Sequence, residues 1–173
     1  MLSQRFSIKL YATTKPDANK VLEVFHQWIK VALLSEQLVD VVDYGHVHEG
    51  PSVLLVGHES DYALDHGEGR AGLFYQRKRA PLVADALSDG LGRLLAAADA
   101  LSKEPLLAPL AFDRTEFRLT VLDRLNSPNT QGSFDAQKDG IAKAFERHVG
   151  AVTVSREDAD STEPFTVRIR GAR

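Results

Sequence analysis

Residues 38–57 read LVDVVDYGHVHEGPSVLLVG. The run from Leu38 to Asp43 and the run from Ser52 to Gly57 both have the length and β-branched content of strands. Too few residues lie between them for the crossover that parallel neighbours need, so the two are expected to pair as an antiparallel hairpin. Val53, Leu54, Leu55 and Val56 are apolar on both faces, which places that strand inside a sheet.

Outward from this hairpin, the same logic gives an order of elements. Toward the N-terminus, Phe6, Ile8 and Leu10 alternate with Ser7, Lys9 and Tyr11, the period of a half-buried strand. A helix follows, with Thr14 as its cap, Pro16 in its first turn and Val21, Val24, Phe25, Trp28 and Ala32 on one stripe. Near the C-terminus the order returns. Phe117, Leu119 and Val121 form a strand, a helix runs from about Phe134 to Gly150, Val152 and Val154 mark a strand, and Phe165, Val167 and Ile169 mark a final one, expected at an edge. The interval from Val41 to Pro51 equals that from Val154 to Pro164, so two strand-helix-strand-strand units form a pseudo-repeat by pattern.

Between the units, Tyr62–His66 and Leu73–Arg77 read as a hairpin across a glycine-rich turn, and a long helix follows from Pro81. Gly67, Gly69 and Gly72 have the spacing of a dinucleotide fingerprint, but Leu73-Phe74-Tyr75 reads as strand where that motif requires a helix, so they are turn formers. Residues 104–113, with Pro105 and Pro109, form an extended connector. The expected fold is therefore α+β, a mainly antiparallel sheet with helices on one face. A ferredoxin-like core with a hairpin insertion is the alternative. One domain spans 1–173, with sub-units 1–60 and 114–173 flanking the segment 61–113.

With 173 residues, 43% hydrophobic and 26% charged, the chain has the composition of an ordinary globular domain. There is no cysteine, hence no disulfide, thiolate metal site or thiol nucleophile. The start carries Arg5 and Lys9 within an amphipathic pattern, so a signal peptide and a membrane span are not expected, and cytoplasmic residence is. A net charge of −3 gives no general pull toward phosphate backbones, which argues against nucleic acid as a partner. The one basic run, Arg77-Lys78-Arg79, reads as a solvated strand end.

Between Lys30 and Arg70 the chain has no lysine or arginine, yet it carries Glu36, Asp40, Asp43, Glu49, Glu59, Asp61, Asp65 and Glu68 with His46, His48, His58 and His66. Such a stretch can attract a metal ion, a basic ligand or protons. Two groups follow from the strand assignment. His46, His48 and Glu49 lie at the hairpin tip, and His58, Glu59, Asp61, Asp65 and His66 lie around the second turn. In the second group a short hairpin would set His58 and His66 on facing strands, with Asp65, Glu59 or Asp61 completing a site for a divalent transition metal. The loop matching the tip in the second unit, Arg156–Pro164, is equally acidic without histidine, so the acidity there is loop solvation.

Three functional readings follow. The first is a ligand-binding or interaction protein, a homo-oligomer whose acidic, histidine-rich surface recruits a basic partner. The second is a small enzyme using His58 with Glu59 or Asp61 as general acid and base, with or without a metal. The third is a pH-responsive module in which clustered histidines gain charge.

Overall fold

The computed structural model describes residues 3–47, 50–78, 82–157, 160 and 162–171. In chain order the elements are β1 (Phe6–Ala12), α1 (Ala18–Val31), β2 (Leu38–Asp43), β3 (Pro51–Gly57), β4 (Ser60–Asp65), β5 (Gly72–Arg77), α2 (Ala86–Lys103), β6 (Phe112–Val121), α3 (Gln131–Val149), β7 (Val152–Arg156) and β8 (Thr166–Gly171). The strands form one eight-stranded sheet, ordered β2-β3-β4-β5-β1-β6-β8-β7, in which every neighbouring pair is antiparallel. The fold is α+β, as the hairpin spacing of the strands required.

The two strand-helix-strand-strand units meet where β1 pairs with β6. In each, the crossover helix delivers the chain to the outermost strand, β2 on one side and β7 on the other. The second unit closes by setting β8 beside β6. The first inserts the β4–β5 hairpin between β3 and β1, which widens its half of the sheet. This is the side-by-side arrangement, not the ferredoxin-like alternative.

Alternation along the strands divides the sheet into two unlike faces. Phe6, Ile8 and Leu10, with Phe117, Leu119 and Val121 and with Phe165, Val167 and Ile169, point into a single core shared with all three helices. Helix α1 contributes Val21, Val24, Phe25 and Trp28, each worth about 1.5–3 kcal/mol of burial. Helix α2 lies so close to the sheet that a Cβ at Gly90 would stand 2.8 Å from the Tyr75 ring and 2.9 Å from Phe6. The glycine that weakens this helix by propensity is what lets it seat. No α-helix among the described residues packs on the opposite face.

Several local expectations change. Helix α1 is capped by Asp17, whose carboxylate accepts the Asn19 N–H, not by Thr14. Helix α2 begins at Ala86 behind the cap Asp85, and Pro81 lies outside the described residues. Helix α3 begins at Gln131 behind Thr130, earlier than Phe134. Strand β8 is interior, because β7 pairs along its far side. Residues 104–113 are not wholly extended: Pro105–Leu107 forms a 3-10 turn, and β6 starts at Phe112. Arg77 is not solvated. It is 1% exposed and paired to Asp89 of α2 at 2.8 Å, while Lys78 pairs with Asp61 and Arg79 lies outside the described residues.

Candidate functional site

The residues of the cation-free stretch find their cations elsewhere in the sequence. Asp65 pairs with Lys9 of β1 at 2.5 Å, Asp61 with Lys78 at 2.7 Å, Glu59 with Arg93 of α2 at 2.9 Å, and Glu68 with Arg118 of β6 at 3.1 Å. Glu36 is buried. Its carboxylate accepts from Tyr62 Oη at 2.9 Å, from the backbone N–H of Glu59 and Ser60, and from the Ser60 hydroxyl, with Arg93 at 3.5 Å. Burial, followed by the Glu36 charge, pushes the Tyr62 hydroxyl above its ordinary pKa. This closed cluster fastens the β3–β4 turn to α2 and leaves the buried Ser60 no access to a substrate.

The expected histidine groups do not assemble as the hairpin reading proposed. His58 is exposed at the β3–β4 turn, its N–H donating to Gln37 O. His66 follows β4 at the other end, its N–H donating to Gly50 O. The six residues of β4 lie between them, about 20 Å at 3.3 Å per residue. The reason is register: the turn-facing pair is Val56 with Asp61, while Asp65 stands opposite Pro51.

The acid–base set is divided too. Asp61, opposite Gln76 on β5, points to the helix-free face and pairs with Lys78, whereas Glu59, in the turn before β4, reaches Arg93 of α2. His46 is exposed at the β2–β3 tip, and His48 and Glu49 lie outside the described residues. Among the described residues no three histidine or carboxylate side chains are grouped to hold a metal ion.

A different set converges on the helix-free face. Lys9, Arg118 and Arg168 stand directly opposite one another on β1, β6 and β8. Like charges so placed repel, and carboxylates from the surrounding turns and strands bracket the row. Glu157, just past β7, accepts from Arg118 Nε at 3.0 Å and from Arg168 Nη2 at 2.8 Å. Glu116 accepts from Arg168 Nη1 at 2.8 Å and from Arg70 Nη1 at 3.0 Å. Partial burial disfavours the Glu116 charge, but the hydrogen bonds from Arg168 and Arg70 prevail and hold this carboxyl below its ordinary pKa.

Tyr11 lies within this set. The Arg70 guanidinium stacks on its ring, 3.8 Å from the centroid. Burial, and then the charge of Glu68, push its hydroxyl up to about 12. The 3-10 turn Gly67–Gly69 folds over the same face, where Lys9 Nζ donates to Gly67 O at 2.7 Å. Beneath it is a recess of about 170 Å³ floored by Ser7, Lys9, Phe74, Arg118 and Thr120.

Of the carboxylates that meet this set, the sequence reading named Asp65, for a metal role, and Glu68, as part of the acidic stretch. The available signal was the polar register of the one-faced strands, Lys9 and Tyr11 on β1, Arg118 on β6 and Arg168 on β8. Each is unremarkable alone, and sheet order joins them. No family model, curated protein or solved structure matches the chain. No helix among the described residues is long and apolar enough to cross a membrane.

Proposed function

We propose that this is a binding protein rather than an enzyme, and that its ligand lies on the helix-free face of the sheet around Lys9, Tyr11, Arg118 and Arg168. The observation that carries this reading is the in-register cation row, which side chains from separate strands and turns hold in fixed positions. Preorganised guanidinium groups suit bidentate recognition of planar or tetrahedral anions.

The acidic surface expected to recruit a basic partner is largely spent inside the molecule, since Glu36, Glu59, Asp61, Asp65 and Glu68 are all ion-paired. Asp40 and Asp43 remain on the outermost strand, each accepting a nearby backbone N–H. Against the general acid–base reading of His58 with Glu59 or Asp61, each carboxylate is already engaged by a cation, Glu59 by Arg93 and Asp61 by Lys78. A cytoplasmic setting fits the cysteine-free composition. Self-association would use an outer strand, β2 or β7, where the sheet can be extended.

The test is a thermal-shift screen with phosphate, dicarboxylates, polyamines and sugars, on the wild type and on the double variant Arg118→Ala, Arg168→Ala. A ligand at 100 times its Kd stabilises by about 2.7 kcal/mol. Shifts confined to anions and lost in the double variant support the reading. Shifts that persist in the double variant place the ligand elsewhere.

A further inference from the structure

We propose that Glu68 is an internal stand-in for the ligand: its carboxylate holds the place that a phosphate or carboxylate group of the bound molecule takes, and the Gly67–Gly69 turn swings away to admit it. This rests on the binding face proposed above and assigns that face both a ligand class and a latch.

Three donors from three strands meet the Glu68 carboxylate. Tyr11 Oη lies at 3.3 Å, Arg118 Nη1 at 3.1 Å and Arg168 Nη2 at 3.4 Å. A hydroxyl and two guanidinium groups form the donor set of an oxyanion site. The residue that fills it comes from a turn and not from the sheet. Its backbone is held in the left-handed region, φ 62°, which a side-chain-bearing residue adopts only under strain. Gly67 precedes it, and Gly69, with φ 69°, follows. A strained residue between two glycines is a segment able to change conformation without disturbing the strands on either side.

Charge points the same way. Lys9, Arg70, Arg118 and Arg168 face Asp65, Glu68, Glu116 and Glu157, with Arg170 more distant at 3.7 Å from Glu116. The four-against-four set is balanced with Glu68 in place, and its departure leaves one positive charge uncompensated. An incoming oxyanion restores the balance, and the recess beneath the turn offers it room.

Binding that must displace a latch is weakened by the fraction of molecules in which the latch is closed. The test is calorimetric titration at low salt with inorganic phosphate and, separately, acetate, on the wild type, Glu68→Gly and Glu68→Gln. Glycine suits the left-handed backbone, so the first variant keeps the turn, and the second keeps the side chain's size. Adding Arg118→Ala to Glu68→Gly gives the control.

The expected result is binding about tenfold tighter or more in both Glu68 variants, abolished by Arg118→Ala. A gain for phosphate alone identifies a phosphate-bearing ligand, and a gain for acetate alone a carboxylate. Equal, Arg118-dependent affinity in wild type and variants overturns the latch while leaving the binding face intact. Absence of Arg118-dependent binding in every protein overturns both.

Discussion

Arg118 and Arg168 stand directly opposite each other across β6 and β8, two guanidinium groups on one face of an antiparallel pair. Glu157 accepts from both. Their side chains are only 32% and 24% exposed, so solvent relieves little of the repulsion and the carboxylate has to.

Glu157→Gln is therefore expected to destabilise the fold by about 1–3 kcal/mol, read from urea denaturation at pH 7. The double variant Glu157→Gln, Arg168→Gln should be less damaged than the sum of its singles. Strict additivity would mean the three groups do not act together.

On the other side of the sheet, Glu36→Gln should lower stability by about 2 kcal/mol. Glutamine puts an NH₂ against donors that now share a carboxylate: the Ser60 hydroxyl, Tyr62 Oη and two backbone N–H groups. A melting temperature within a degree of wild type would show that this turn is held by something else.

Helix α1 ends on Ala32, whose φ of 48° is left-handed. Ala32→Gly removes a Cβ from a backbone position that glycine prefers, and should stabilise by about 0.5 kcal/mol, a rise of about 1–2 °C in Tm. A fall in Tm would mean that the Ala32 methyl contributes contacts worth more than the backbone strain.

Two groups contribute to the acid response. His66 is held below its ordinary value of 6.5, first by burial and then by the charges of Lys15 and Lys9, which outweigh Asp65. Below pH 6.5 the unfolded chain therefore takes up the proton first, and stability falls until the lowered folded value is passed. Glu116 is also lowered, so its contribution is intact above about pH 4.5 and is lost as pH falls through its folded value. Urea midpoints from pH 8 to 3 should show both declines, the upper one missing in His66→Asn and the lower one shallower in Glu116→Gln. Unchanged profiles in the variants would contradict both assignments.

The hairpin 38–57, the alternation in Phe6–Leu10 and the helical stripe from Val21 to Trp28 were legible in the sequence because each depends on local period. Strand order was not. It comes from which edges pair, while β4, starting at Ser60 just after His58, puts its full length between His58 and His66. The same blindness hid the binding face. Lys9, Arg118 and Arg168 each occupy an ordinary outward position, and only the β5-β1-β6-β8 order sets them in a row. The acidic run was conspicuous for the opposite reason, since its partners lie outside it.

The most direct measurement is an NMR titration of arginine side-chain Nε–H resonances in Glu68→Gly with inorganic phosphate and, separately, acetate. The binding face predicts saturable shifts at Arg118 and Arg168, while Arg93, on the helix side with Glu36 and Glu59, stays fixed. Shifts of equal size at Arg93, or none at Arg118 and Arg168 with either anion, would contradict it.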